Sequence, residues 1–408
     1  MPMPLPICPI APDEFDKLYA CAITAFGDRL DPAELERARP LFEFERSLAV
    51  FDGEMIVGTL SACTFSMTVP GGEAPTAGTT WVAVLPTHRR RGLLTAMMRR
   101  HLDDVRDQGE PLAALWASEA AIYGRFGFGS AAPSLRIDIQ RLGALPAGQP
   151  LALGTFHFVD LEDALEPCAL LYECARAERP GMMSRRPEWW EHDVLSDAGH
   201  LLHDRSQKLT VLHGQQGAYD GYVVYRVNRA WEDNHPHGTV EVIDLVAIAP
   251  QANRDLWRYC IETDLCDRVI ATRRPVDDPL PFLLADPRRA RCTVRDGLWL
   301  RLVDLRAALA IRSYQSEDEL VLEVADSFCP WNDGRWHLET SEKGATCERT
   351  DREPDLALPT SALAAAYLGG ATVTQLFAAG LVEGSLDAVT RLTDLLRVPR
   401  APWPSTDF

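Results

Sequence analysis

The chain has 408 residues, 46% of them hydrophobic, with 41 basic and 59 acidic side chains and a net charge of −18 at pH 7. Single cores stop growing near ~250–300 residues, so two or three domains are expected. The acidic balance argues against nucleic acid or an anionic membrane as the main partner and suits a cationic substrate, and no stretch approaches the ~18–20 uninterrupted apolar residues of a spanning helix.

The N-terminal MPMPLPICPIAPDEF has no basic segment leading into a long apolar run. A signal peptide is therefore not expected, and a cytoplasmic location is. Ten cysteines run from Cys8 to Cys347 without a CxxC pair. The closest spacings, Cys168/Cys174 and Cys260/Cys266, fall on apolar segments that read as helices, which predicts free buried thiols. No cluster has zinc-ligand spacing, and His235 and His237 flank a proline in DNHPHG that reads as a turn, so no metal is expected.

The first region, 1–143, opens with PDEFDKLYACAITAFG, where Phe15, Leu18, Tyr19, Ala22 and Phe26 recur at helical spacing. A short helix follows Asp31-Pro32. SLAVFDGEMIVGTLSACTFSM reads as a hairpin turning at Asp52-Gly53. Then come a strand, TTWVAVLP, a helix from THRRRGLL, a strand, PLAALWAS, and a short helix breaking into a glycine turn, EAAIYGRFGFG.

The second region, 144–296, carries helices at ALEPCALLYECARAE and RPEWWEHDVLSD, a strand pair, and a strand, loop and helix at VEVIDLVAIAPQANRDLW. The paired tryptophans predict core and interface packing rather than an aromatic cage, because neighbours on a helix face different ways. VAVLP at 82–86 is echoed by VAIAP at 246–250 within the same order of elements. That suggests an α/β unit followed by a degenerate copy, which has QANRDLW where the first has THRRRGLL.

The third region, 297–408, opens on a strand, GLWLRLVD, and continues as a meander with turns at Asn332-Asp333-Gly334 and Glu342-Lys343-Gly344. Helices follow, the first capped by Thr360 and stopped at Gly369-Gly370. The proline-rich VPRAPWPSTDF predicts a stiff, extended tail.

Chemistry concentrates at THRRRGLL. A helix start offers unpaired N–H groups and partial positive charge. A phosphate satisfies both, and Gly92 lets it approach without a Cβ in the way. There is neither a Walker GxxxxGK[ST] nor a GxGxxG after a strand.

VAVLPTHRRRGLL resembles motif A of the GNAT superfamily of N-acetyltransferases, read here as Arg89-x-x-Gly92-x-Leu94, with Leu in place of the superfamily's Gly or Ala. With ASEAAIYGRFGFG, RPEWW, DPLPFLLADPR, GLWLR and the terminal Phe, the whole chain resembles the enhanced-intracellular-survival type of acetyltransferase, where that Leu is usual. The resemblance implies a mixed α+β fold: an active GNAT domain (1–143), a degenerate GNAT-like domain (144–296) and a sterol-carrier-like α+β domain (297–408). It also implies a homohexamer. The third domain is expected to serve structure and assembly.

The resemblance implies acetyl-CoA as donor. The edge of Val82, Ala83 and Val84 would pair with the pantetheine amides, while Arg90, Arg91, Gly92, Leu93, Leu94 and Thr95 would hold the pyrophosphate. Ser118 and Glu119 would sit by the cofactor arm. Tyr123 occupies the family's general-acid position, and the terminal carboxylate on Phe408 that of the base. Asp407 and Asp28 would draw a cationic amine, with Phe26 and Trp81 as pocket walls. No cysteine sits in the motifs, so direct transfer to the amine is expected. The alternative is a lipid-binding module with a vestigial transferase; the intact RRRG argues against it.

Overall fold

The computed structural model describes residues 5–145, 155–196, 206–215, 217–341 and 344–408. Ile7–Cys8 (β1) and the helices Phe15–Phe26 (α1) and Pro32–Ala38 (α2) precede the expected hairpin, Ser47–Asp52 (β2) and Met55–Val69 (β3), which turns through Gly53 at φ 65°. Helix α1 buries Phe15, Leu18, Tyr19 and Ala22 and ends at the left-handed Gly27, while Phe26 is left 51% exposed. Asp31 caps α2 by accepting from the Ala33 amide at 2.9 Å.

Next come Gly72–Val84 (β4), Leu93–Asp107 (α3), Leu112–Trp116 (β5), Ala120–Tyr123 (α4) and Gly129–Gln140 (β6). Helix α3 starts later than the sequence suggests: its N-cap is Gly92, so the three arginines lie in the loop before it. The second region contributes Phe156–Val159 (β7), Leu161–Arg176 (α5), Pro187–Trp189 (α6), Lys208–Gln215 (β8), Ala218–Asn228 (β9), Trp231–Glu232 (β10), His235–Pro236 (β11), Gly238–Ala247 (β12), Pro250–Glu262 (α7), Cys266–Arg274 (β13), Leu280–Leu283 (α8) and Ala290–Leu302 (β14). Here the loop expected after VAIAP is absent. Pro250 opens α7 directly and QANRDLW is helical.

Leu305–Ile311 (α9), Asp318–Ala325 (β15), Gly334–Ser341 (β16), Gly344–Arg349 (β17), Leu356–Pro359 (β18), Thr360–Tyr367 (α10), Val373–Ala378 (α11), Glu383–Gly384 (β19) and Leu386–Leu396 (α12) complete the chain. The turn expected at Glu342-Lys343-Gly344 falls partly outside the described residues. Thr360 does not cap α10; Pro359 is the N-cap, and the Thr360 hydroxyl is buried without a hydrogen-bond partner among the described residues. The stop at Gly369 is present, at φ 82°.

Twelve of the described strands join in one sheet, β1-β2-β3-β4-β5-β14-β6-β13-β12-β9-β8-β7. Both α/β units share it. The strand expected to open the third region, GLWLRLVD, is the end of β14, which lies between β5 and β6 of the first unit. Strands β17-β16-β15-β18-β19 form a second sheet. Helix α10 lies against β6, where a Cβ on Gly129 would meet the Ser361 carbonyl oxygen at 2.0 Å.

The two tryptophans divide as expected: Trp189 packs near Phe65 (5.7 Å) and Trp190 near Tyr172 (5.5 Å). All ten cysteines are free; Cys8, Cys174 and Cys292 are exposed rather than buried, and Cys266 opens a strand rather than lying on a helix. His235 lies in a short hairpin, and His237 Nδ1 meets Asp267 at 2.6 Å. Among the described residues no group of side chains has metal-site geometry, and no helix is long and apolar enough to cross a membrane.

Gly129→Ala is expected to lower stability by about 1–3 kcal/mol, because backbone must move to admit the methyl group. A thermal melt with an unshifted midpoint would contradict this packing.

Candidate active site

The site begins where two parallel strands part. β4 pairs with β5 from Thr76–Gly78 to Leu112–Ala114 and no further. On its other side, β4 skips register against β3 between Thr80 and Ala83. Trp81 sits at this bulge in the left-handed region, at φ 54°. For a residue with a Cβ that conformation costs about 1–2 kcal/mol. The Thr59 hydroxyl donates to the Trp81 carbonyl at 2.7 Å, and the indole packs near Tyr19, Phe42 and Phe15, with centroids 5.1, 5.9 and 6.1 Å away. At roughly 0.5–1.5 kcal/mol per aromatic pair, these contacts offset the strain. The β5-facing backbone of Val82, Ala83 and Val84 is left without a ladder partner among the described residues.

A cavity of about 820 Å³ fills the opening. One wall is Val82–Val84; the other carries Ser118, Glu119, Ile122 and Tyr123. Its floor is the start of α3, with Arg90, Gly92, Leu93, Leu94 and Thr95. The first helical hydrogen bond runs from the Ala96 amide to the Gly92 carbonyl, 3.0 Å, so the amides before it have no helical acceptor. Arg90 and Gly92 are both left-handed, at φ 62° and 81°, and a Cβ on Gly92 would meet nothing within 4 Å.

The arginines separate by role. Arg89 is structural: its guanidinium donates to the carbonyls of Val84 (3.2 Å) and Ala25 (2.9 Å). Buried His88 ties the loop to the hairpin through Asp52 at 3.1 Å. Arg90 lines the cavity, whereas Arg91 does not.

A second cavity of about 530 Å³ meets the first at Phe26, Val82, Ser118 and Tyr123. Tyr123 is 5% exposed, and burial raises its phenol pKa, with the Ser118 hydroxyl partly opposing that rise. Trp81, Asp407 and Phe408 line this second space, as do Glu34 and Arg37 of α2. Thr79 also lines it, its hydroxyl 2.8 Å from Nε2 of His101, whose pKa burial pushes down to about 3.

The tail reaches this junction as an ordered, extended segment. The Trp116 indole donates to the Thr406 carbonyl at 3.0 Å, and the Phe408 ring packs 5.0 Å from Phe65. Gly78 makes room there, since a Cβ would lie 3.0 Å from the Phe408 ring and 2.5 Å from Phe65. Arg273 bonds the Asp407 carboxylate at 2.9 Å. That carboxylate is half exposed to the cavity, yet enough protein surrounds it for desolvation to raise its pKa, against the pull of Arg273.

Asp28 is not brought to these cavities. It stays exposed just past α1, and with Glu34 and Asp31 it helps raise the Tyr19 pKa after the larger effect of burial. Glu34 is the acidic residue that α2 places on the wall. Sequence reasoning passed over Glu34 and Arg37, although both share α2 with its Asp31 cap. Arg273 and Asp193, which line an adjoining cavity of about 270 Å³, carry no local motif.

Two regions match the description "Acetyltransferase (GNAT) domain", residues 7–131 and 181–306, and a third, 305–405, matches "Sterol carrier protein domain". The N-acetyltransferase Eis of Mycobacterium tuberculosis is 34% identical over 405 residues, covering 96% of each chain. The chain belongs to the Eis-like N-acetyltransferases of the GNAT superfamily. An N-acetyltransferase of Streptomyces avermitilis is 44% identical over 398 residues, again covering 96% of both chains. The crystal structure of Eis1 from Mycobacterium abscessus superposes with a TM-score of 0.84 at 35% identity, over 99% of this chain and all of that one.

The fold is thus two GNAT domains and a sterol-carrier-like domain, and the chain is an N-acetyltransferase. A GNAT fold implies acetyl-CoA as cosubstrate, and the open glycine, the unpaired amides and the strand edge suit a diphosphate and an amide-bearing arm. Gly92→Glu sets a carboxylate in the floor of the cavity, on a backbone that disfavours any side chain. Titration calorimetry should show acetyl-CoA binding to the wild type and none to this variant; retained affinity would rule out the floor as the anion site.

Proposed function

We propose that the chain transfers acetyl from acetyl-CoA directly to a primary amine of a cationic small molecule, aminoglycoside-like or polyamine-like, or to a lysine side chain. The meeting of two cavities at Tyr123, with the chain terminus in the second, is the observation that carries this reading.

In it, Val82–Val84 pair with the pantetheine arm and Arg90 to Thr95 with the pyrophosphate, Arg91 acting through its charge. Ser118 and Glu119 flank the arm. The amine enters between Phe26 and Trp81, drawn by Asp407 and, at longer range, Asp28. The Phe408 carboxylate takes the ammonium proton through water. With a reference pKa near ~3.5 it is a weak base, so the relay depends on an amine whose own pKa is lowered in the cavity. The free amine attacks the thioester carbonyl carbon, and unpaired β4 amides are the donors at hand for the oxyanion. The C–S bond then breaks, and Tyr123 gives its proton to the leaving thiolate, whose pKa lies near ~8.5. The same reading includes a homohexamer, which native mass measurement tests, and a cytoplasmic location, where acetyl-CoA is available.

An acetyl-CoA consumption assay over an amine panel, with product masses read directly, tests the reading; if no amine is acetylated between about pH 7 and 9, it fails. Tyr123→Phe should lower kcat about 10²–10⁴-fold with little change in acetyl-CoA affinity. Burial raises the phenol pKa and so favours the protonated acid, and activity should climb from about pH 7 to 9 as amine is freed. A basic limb near pH 8 that disappears in Tyr123→Phe would contradict the raised phenol pKa, and an unchanged kcat in Tyr123→Phe would remove Tyr123 as the acid. One glycine added after Phe408 should cut turnover sharply and leave acetyl-CoA affinity intact; unchanged turnover would remove the carboxylate from the mechanism.

A further inference from the structure

The second GNAT domain has lost the arginine run and the glycine of the first, yet it keeps the parted strands. β12 pairs in parallel with β13 from Gly238 to Val242 and then continues to Ala247 without it. In the first domain the matching gap is open. In the second it is filled. Arg274 Nη1 donates to the Leu245 carbonyl at 2.6 Å and Nε to Asp278 at 2.9 Å. Its guanidinium lies 4.8 Å from the ring of Trp403, a tail residue only 5% exposed.

Most of the tail's other hydrogen bonds go to the same domain, while Trp116 and Phe65 of the first domain meet Thr406 and Phe408. Trp403 donates its indole N–H to the Arg273 carbonyl at 2.6 Å and its amide to Pro180 at 2.8 Å. Arg185, fixed by Asp244 of β12 at 2.6 Å, donates to the Thr406 hydroxyl at 3.1 Å and the Ser405 carbonyl at 3.4 Å. The Tyr172 hydroxyl lies 3.1 and 3.0 Å from those of Ser405 and Thr406. Last, Arg273 Nη1 donates to Asp407, the residue before the terminus, at 2.9 Å. Arg273 is left-handed at φ 55°, where the pairing of β13 with β6 skips. That break lets two consecutive arginines serve different sides, Arg274 the gap and Arg273 the cavity.

We propose that the parted strands of the second domain, closed to a cosubstrate by Arg274 and Trp403, are a clamp that aims the chain terminus into the first domain's cavity. Arg273 is the positioning residue that sets the direction of Phe408. A copy freed from binding its own cosubstrate thereby orients the base of the other. The proposal rests on the role given to Phe408 above. It acts through geometry: a carboxylate misplaced by about 1 Å can lose some 10²-fold in rate while binding elsewhere is untouched.

The test compares wild type, Arg273→Ala and Arg273→Lys as full-length proteins with matched thermal melts. Two readouts are taken: the kcat and acetyl-CoA KM for the best amine of the panel, and the rate at which carboxypeptidase A removes Phe408, followed by intact mass. Arg273→Ala should lose about 10- to 100-fold in kcat with acetyl-CoA KM nearly constant, and should release Phe408 several times faster than wild type. Arg273→Lys should recover part of both. Trimming of Arg273→Ala at the wild-type rate would overturn the clamp, as would an unchanged kcat. Trimming needs no turnover, so if the panel yields no product the clamp is still decided, and the acetyl-transfer reading alone fails.

Discussion

The parting of β4 from β5 after Gly78 is the constraint on which the site depends. A parallel pair continued to Val84 would satisfy its own backbone and leave nothing for a cosubstrate. The bulge at Trp81 prevents this by spending an extra residue on one strand, so β4 stays bonded to β3 while turning from β5. The left-handed backbone at Trp81 is held by the Thr59 hydroxyl and by its aromatic neighbours, so the opening is built into the core. Everything later in the first domain is placed relative to it: the loop with its arginines, the N-terminus of α3, and Tyr123 on the facing side.

The continuous sheet explains how distant segments reach one pair of cavities. β14 crosses from the second GNAT domain to pair with both β5 and β6, which ties the two domains through backbone hydrogen bonds. Helix α10 then packs on β6 with almost no spacing, at Gly129. The tail leaves this third layer and returns past the second domain to the first. A flexible terminus could hold this place only at the entropic cost of ordering it. Here Trp403, Ser405 and Thr406 are buried and hydrogen-bonded in advance.

The electrostatics divide between the two ends of the joined cavities. Arg90, without an acidic partner among the described residues, and the N-terminal amides of α3 face one end, with Glu119 on its wall, while Asp407 and Glu34 line the other beside Arg37. Positive charge thus lies at the end of the joined cavities that carries the start of α3. Arg89 shows that charge alone does not define a role, since its guanidinium is committed to two carbonyls and braces the loop.

The sequence by itself determined the local elements and the motif. Helical spacing in α1, the hairpin at Gly53, the strand into RRRG and the echo at VAIAP were all legible, because periodicity and turn chemistry act over a few residues. It also marked Gly92 and Tyr123. It misjudged the start of α3 and of α7, and the cap of α10, where one or two residues of local geometry decide the outcome. Only the tertiary structure decided that β14 lies inside the first domain's sheet, that Glu34 rather than Asp28 lines the cavity, and that Arg273 and Arg274 face different partners. The place of β14 and the contact of Arg273 with Asp407 join residues more than a hundred positions apart, and the different sides that Arg273 and Arg274 serve follow from a bulge that changes which side of a strand a residue faces. No window of sequence contains both members of such a pair.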